Sequence, residues 1–259
     1  MQSTSEIATT TPEPNGWGLT IAQVVTVAIV FIVGSTLPAL PEMFAQIAEG
    51  VEGQPVLSSP TVAATVMVGM ALALFVCWLW LRNEGRVGEA WTLGVPPAGW
   101  PKTLAWAALG TGVIFLIFGL GGATLEALGL PSPDPSEVLD LVTESPAMLA
   151  LWIVGVAWLA AGTGEELLYR GFLMDRLSRV AGLRGRIWLV LVIQAVLFGL
   201  PHAYQGWGGV LVTGSVGLFL GWLRLRNQGN LWACILAHAA VDTLAMGLAY
   251  AEKLGLISA

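Results

Sequence analysis

Six ionisable side chains lie in or at the edge of long apolar stretches in the C-terminal part of the 259-residue chain. A charge at the centre of a bilayer costs roughly 2.5–3.5 kcal/mol, so such residues usually face a bundle interior and serve a function. Any one of them alone fits a packing or snorkelling role, but six together favour a cluster for acid–base chemistry or metal binding. They include both histidines of the chain: Glu165, Glu166, Arg170, His202, His238 and Asp242.

The first motif contains two adjacent glutamates and an arginine. Glu166 and Arg170 are four residues apart, which puts them on one face of a helix and close enough to pair. Glu165 is rotated by about 100° from Glu166 on an α-helix. We therefore expect Arg170 to neutralise and fix Glu166, and Glu165 to face a different environment as a desolvated carboxylate able to act as a general base or acid.

Two further motifs have the same four-residue spacing. Phe198 and His202 enclose Pro201, and a proline kinks or ends a helix, so we expect His202 at a break that water can reach. His238 and Asp242 share one face of the last apolar segment. The aspartate can orient the histidine ring, or the two can bind a metal together.

The three motifs resemble those of the type II CAAX prenyl protease and bacteriocin-processing (Abi) family of intramembrane proteases. That family carries EExxxR, FxxxH and HxxxN or HxxxD on successive membrane helices. The matching residues here are Glu165, Glu166 and Arg170, then Phe198 and His202, then His238 and Asp242. The resemblance covers about residues 160–245, and residues 1–150 match only in being hydrophobic spans.

The resemblance implies a role for each of these residues. Glu165, with His202, would activate water for attack on a peptide carbonyl, and His238 and residue 242 would lie near the developing oxyanion. Glu166, Arg170 and Phe198 would support the site. The role of residue 242 is the one that its side chain puts in doubt. An ionised aspartate carboxylate repels an oxyanion, whereas an asparagine amide at this position would stabilise it. Asp242 must therefore be protonated, orient His238, or bind metal.

A metal-dependent form of the same reaction is the mechanistic alternative. His202 and His238, with Glu165 or Asp242, supply enough donors for a catalytic zinc with one open position. The HExxH signature of zinc proteases is absent from the chain. We therefore favour a reaction with no cofactor, with zinc as the alternative.

The composition predicts the elements that must position these residues. The chain is 56% hydrophobic and only 11% charged, against about 25% charged residues in a typical soluble domain. We therefore predict an all-α, polytopic transmembrane bundle of about seven to eight helices with a polar catalytic cavity. The seven expected spans, each sought as a run of about 20 apolar residues, are Leu19–Leu37, Thr61–Leu81, Thr103–Leu125, Met148–Leu168, Ile187–Leu200, Val210–Leu225 and Asn230–Tyr250. The fifth and sixth are short, and the fourth is expected to continue as a helix into residues 169–179.

Basic residues predict the orientation. Lysine and arginine follow the second, fourth and sixth spans, whereas the loops at about 38–60, 126–147 and 201–207 contain neither. Because cytoplasmic loops are enriched in these residues, seven spans put the N-terminus in the cytoplasm and the C-terminus outside. We expect a disordered tail over residues 1–16, a single membrane domain over residues 17–259, and a prokaryotic plasma membrane as the location.

The leading functional hypothesis is an intramembrane endopeptidase that acts on membrane-associated or lipidated protein substrates. The alternatives are a non-catalytic scaffold or chaperone and, less favoured, an ion-coupled transporter, since intramembrane carboxylates and histidines also serve as relays. An acidic chain with net charge -6 lacks the basic surface of a nucleic-acid-binding protein. The lipid bilayer and a membrane-bound peptide are thus the expected partners, and no oligomeric state follows from the sequence.

Overall fold

The computed structural model describes residues 16–257, and the elements in that part are helices joined by loops, without strands. Of the predicted N-terminal tail, residues 1–15 lie outside the described residues. The helices, in chain order, are α1 (Trp17–Thr36), α2 (Leu40–Ala48), α3 (Ser59–Asn83), α4 (Val87–Ala90), α5 (Trp100–Ala127), α6 (Ser136–Val142), α7 (Pro146–Leu151), a π-helix (Trp152–Leu173), α8 (Met174–Ser178), α9 (Ile187–Gly199), α10 (Gly206–Arg226) and α11 (Trp232–Lys253). Short 3₁₀-helices at Leu37–Ala39 and Leu200–Gln205 precede α2 and α10.

Within residues 16–257, six helical stretches are long and apolar enough to cross a membrane, which confirms a polytopic membrane bundle. The sequence predicts seven spans. The difference lies in one stretch, Ile187–Arg226, which contains both the fifth and the sixth predicted span joined by the second 3₁₀-helix. The expected continuation of the fourth span is confirmed, because the helical path that begins at Pro146 runs to Ser178.

α9 and α10 fold back on each other as an antiparallel hairpin. Glycines on α10 allow the close approach: a Cβ built on Gly217 would lie 2.9 Å from the Phe198 ring, and one on Gly221 would lie 2.7 Å from Leu191. α9 has 13 residues and therefore rises only about 20 Å, less than the hydrocarbon thickness of about 30 Å. The hairpin thus positions the Phe198–His202 segment where α9 gives way to the turn between the two helices.

The π-helix is the central element of the bundle. It packs against α3 on one side and α11 on the other, and α11 in turn packs against α5. A Cβ on Gly162 would lie 2.7 Å from the Ala239 Cβ, so a glycine is required where the π-helix meets α11. π-helical turns are uncommon and frequent at functional sites. The first and third motifs are carried by these two adjoining helices.

The polar segments collect at opposite ends of the bundle. At the basic end, ion pairs join the end of α3 and the turn after it to α8. At the acidic end, Asp134 N–H donates to the Gln205 carbonyl and the Lys253 ammonium donates to the Thr143 carbonyl. Two expected outer loops contain short helices, α2 and α6, that the sequence does not predict.

Candidate active site

Glu166 is the centre of a fully buried polar network. Its Oε1 accepts a hydrogen bond from Arg170 Nη1 at 2.9 Å, as the four-residue spacing predicts, and both side chains are 0% exposed. The same oxygen accepts a second bond from His238 Nδ1, also at 2.9 Å. Glu166 therefore ties the π-helix to α11. Because a carboxylate can only accept, this bond also fixes Nδ1 of His238 as a donor.

The other ring nitrogen of His238 faces the remaining two carboxylates. Its Nε2 lies 4.0 Å from Glu165 Oε2 and 3.8 Å from Asp242 Oδ2. Both distances are too long for a direct hydrogen bond and short enough for electrostatic attraction. The sequence offers Asp242 as the residue that orients the histidine ring, but in the structure the hydrogen bond that orients it is donated by His238 Nδ1 to Glu166. The reason is that Glu166, on the neighbouring helix, reaches Nδ1 directly.

Glu165 is more exposed than its neighbour, with 22% of its side chain accessible against 0% for Glu166. It lines a cavity of about 470 Å³ bounded by α1, α3, the π-helix and α9. The wall is mainly apolar, with Phe31, Met70 and Leu197 among its members, and Glu165 is its single acidic residue among the described side chains. The two adjacent glutamates thus occupy different environments, one sealed in the core and one facing a cavity.

The second motif meets the first through an aromatic ring. Phe198 is buried, and the Arg170 guanidinium carbon lies 4.0 Å from its ring centroid. His202 follows on the 3₁₀-helix that replaces α-helix at Pro201, which confirms the expected break. Its Nδ1 lies 3.1 Å from the Phe198 carbonyl, which can only accept, so Nδ1 donates and Nε2 has a free lone pair. Phe198 contacts both histidine rings, with centroid distances of 5.5 Å to His202 and 6.0 Å to His238.

One buried polar residue of this network is missing from the sequence-based set. Gln194 is 0% exposed, and its Nε2 donates to the Gly217 carbonyl at 2.7 Å. That carbonyl also accepts from Arg170 Nη2 at 3.2 Å. The signal was present in the sequence, since Gln194 is a polar residue in an apolar span, four positions before Phe198 and eight before His202. It therefore lies on the helical face of the second motif.

The structure thus brings all seven predicted site residues into one connected region. Glu165, Glu166 and Asp242 surround His238, while His202 lies across the Phe198 ring. No group of three or more His, Cys, Asp or Glu side chains among residues 16–257 is arranged to hold a metal ion. The zinc set of His202 and His238 with Glu165 or Asp242 is therefore not gathered into a site as placed. Each histidine donates through Nδ1 and keeps Nε2, the nitrogen with which such a histidine binds a metal, for another partner.

Comparison with known proteins agrees with the motifs. Residues 146–244 match the family model of the Rce1-like type II CAAX prenyl endopeptidases. No curated protein and no solved structure matches the chain. The matched region begins with α7 and ends within α11, so it contains every residue of the network described above. This match confirms the resemblance drawn from the three motifs and, at the family level, supports a membrane peptidase of the CAAX protease type.

Proposed function

We propose, from the Rce1-like match over residues 146–244, that the protein is an intramembrane endopeptidase in which Glu165 activates water without a metal. The observation that carries the proposal is the asymmetry of the two glutamates. Both glutamates have an Oε2 without a hydrogen-bond partner among the described residues, but Glu166 is sealed in the core with its Oε1 fixed by Arg170 and His238, whereas Glu165 is 22% exposed and faces the cavity. Of the two glutamates, only Glu165 has space beside it for a substrate.

The reaction follows from these positions. Glu165, assisted by Nε2 of His202, removes a proton from water as the water oxygen bonds to the peptide carbonyl carbon. The carbonyl π electrons move to oxygen, and His238 faces that charge as an imidazolium, with Nδ1–H donating to Glu166 and the second proton on Nε2 beside the carboxylates. When the tetrahedral intermediate collapses, the C–N bond breaks and the proton held by Glu165 passes to the leaving amine. Water has then been added across the bond.

The cavity suggests the kind of substrate. Its apolar wall, between α1 and α9, suits a lipid-facing or lipidated segment next to the scissile bond, because such a segment passes from one apolar environment to another. We place the basic end in the cytoplasm and the acidic end outside, because lysine and arginine are enriched in cytoplasmic loops. The α9–α10 hairpin then keeps His202 towards the outer, acidic end.

Substitution of Glu165 tests the function. Membranes that contain wild-type protein should acquire new peptide termini, measured by terminal proteomics, and Glu165→Gln should abolish them at equal protein level. Glu137→Gln, at an exposed position on α6, is the matched control and should leave the termini unchanged. Full activity of Glu165→Gln would remove this residue from the mechanism. Wild-type membranes without new termini would contradict the peptidase itself and favour a scaffold or a transporter.

Chelation tests the metal-free mechanism separately. Purified protein should keep its cleavage rate after incubation with a strong chelator, and its zinc content should be far below one per chain. Stoichiometric zinc whose removal abolishes cleavage, and whose return restores it, would establish the zinc alternative instead.

A further inference from the structure

Some basic side chains at the basic end of the bundle have no polar partner in the protein. Within residues 16–257, five of them are exposed and make no hydrogen bond or ion pair with a described residue. The other basic side chains bind carboxylates or backbone carbonyls, as Arg224 does with the carbonyls of Gly229 and Ala90. The five unpaired side chains are Arg82, Lys102, Arg184, Arg186 and Arg226.

Arg226 differs from the other four in lying over two indole rings. Its guanidinium carbon is 5.7 Å from the ring centroid of Trp106 on α5 and 5.8 Å from that of Trp222 on α10. The two indoles meet edge to face with centroids 5.9 Å apart, and Phe219 stacks on Trp222 at 5.7 Å. Trp106 and Phe219 in turn pack on the core that α5, α10 and α11 share. The arginine therefore lies on a firmly packed aromatic surface at the contact between α5 and α10.

The two tryptophans indicate the depth of this arginine in the membrane. Tryptophan rings at helix ends favour the level of the lipid headgroups. Trp106 is about 9 Å along α5 from its first residue, Trp100, and Trp222 is one turn before Arg226, the last residue of α10. Trp222 is also exposed on the surface of the bundle. A guanidinium held over these rings thus lies at headgroup depth.

The chemistry of this position fits a phosphate group. A guanidinium presents five N–H donors in a planar fork that matches phosphate oxygens, and none of those of Arg226 bonds to a described residue. The ring contacts restrict the side chain before a ligand arrives, so less conformational freedom is lost on binding. Lys102 lies one turn before Trp106 on the same face of α5 and adds a second cation.

We propose that Arg226, held by Trp106 and Trp222, binds the headgroup phosphate of an anionic phospholipid between α5 and α10. The guanidinium donates to two phosphate oxygens, and the indole rings pack on the glycerol and the first acyl carbons. The unpaired cations at this end favour a lipid with net negative charge over a zwitterionic one. The site is separate from the Glu165 cavity, so the inference does not depend on the proposed peptidase function.

Native mass spectrometry of the purified protein in detergent, which counts bound lipids, tests the site. We expect the wild type to bind phosphatidylglycerol more tightly than phosphatidylcholine. Arg226→Gln should raise the Kd for phosphatidylglycerol about fivefold, the equivalent of the roughly 1 kcal/mol that one basic residue gains at an anionic surface. Arg184→Gln removes an exposed arginine that has no ring contact among the described residues. It is the matched control, and its Kd should change less than twofold.

A second variant separates a built site from general attraction between charges. Trp222→Leu leaves the net charge unchanged and removes one of the rings that hold Arg226. We expect it to raise the Kd for phosphatidylglycerol at least twofold, whereas general charge attraction predicts no change. Thermal unfolding in lipid-free detergent should stay cooperative in all variants, so that a change in Kd reports on the site.

The inference would be overturned by equal affinity of the wild type for the two lipids, or by equal effects of Arg226→Gln and Arg184→Gln. An unchanged Kd in Trp222→Leu would exclude the aromatic part of the site. Glycerol 1-phosphate is the last arm, because it has the phosphate without the acyl chains. If it displaced phosphatidylglycerol at a similar concentration, the site would bind a free phosphate ester and not a lipid headgroup.

Discussion

Within residues 16–257, ion pairs between acidic and basic side chains lie at two places, the basic end and the core, and these differ in their access to water. At the basic end, Glu84 is bound by Arg176 and Arg179; the Arg176 side chain is 0% exposed, but that of Glu84 is 31% exposed. In the core, Glu166 and Arg170 are both 0% exposed. Exposed pairs contribute about 0–1 kcal/mol, whereas loss of one partner from a buried pair costs about 3–5 kcal/mol. The partly exposed pair at the basic end is therefore expected to contribute less to stability than the core pair, in which both partners are sealed from water.

Arg170→Met should give the largest effect on stability. It leaves Glu166 buried with only His238 beside it, so we expect the free energy of unfolding to fall by about 3–5 kcal/mol. Unfolding in mild detergent, followed by circular dichroism, measures the loss. The double variant Glu166→Gln/Arg170→Met also removes the buried carboxylate that has lost its partner. It should recover at least half of the lost free energy of unfolding. A single variant as stable as the wild type would show that the buried pair does not hold the π-helix and α9–α10 together.

The sequence predicts this core pair but not the whole network around it. Glu166 and Arg170 share one helix, so their spacing alone predicts contact. The bond from Glu166 to His238 joins residues 72 positions apart. Such a contact depends on how the π-helix packs against α11, and a single sequence contains no information on that packing. The sequence also could not predict that this helix is a π-helix, because an apolar segment buried on several faces has no sharp hydrophobic periodicity.

The helices themselves were predictable because length and composition decide them. The fifth predicted span, Ile187–Leu200, differs by one residue from α9 at Ile187–Gly199. What the sequence left open was that α9 and α10 form a compact hairpin, since that fold depends on glycine contacts such as Gly217 against Phe198. Gln194 could be recognised in the sequence as a polar residue in an apolar span, but its contact could not be predicted. Its partner is the backbone carbonyl of Gly217 on α10, and a backbone carbonyl has no sequence signature.

Gln194→Leu sharpens the comparison inside the core, because it removes a neutral partner. The Gly217 carbonyl keeps its bond from Arg170, so we expect a loss of only about 1 kcal/mol in the free energy of unfolding. Gln23→Leu on α1 is the matched control. Gln23 is also buried, and its Oε1 has no hydrogen-bond partner among the described residues, so this change should be neutral or stabilising. If both variants lost the same free energy of unfolding, the changed side-chain shape, and not the hydrogen bond to Gly217, would explain the effect.

Glu84 should give the smallest effect and a characteristic dependence on pH. Partial burial disfavours its carboxylate, but hydrogen bonds and charges from Arg176 and Arg179 outweigh burial and hold the pKa of Glu84 below its ordinary value of 4.5. A pKa lowered by folding means that the stabilisation is complete above pH 4.5 and disappears as the pH falls through the folded-state pKa. We expect Glu84→Gln to cost about 1 kcal/mol at pH 7, less than the loss of the core pair, with a smaller cost at high salt and a progressively smaller one as the pH is lowered below 4.5. Unfolding of wild type, Glu84→Gln and the exposed control Glu137→Gln across this range measures the difference. A cost that stays constant as the pH is lowered would show that Glu84 acts by packing at the basic end and not by its charge.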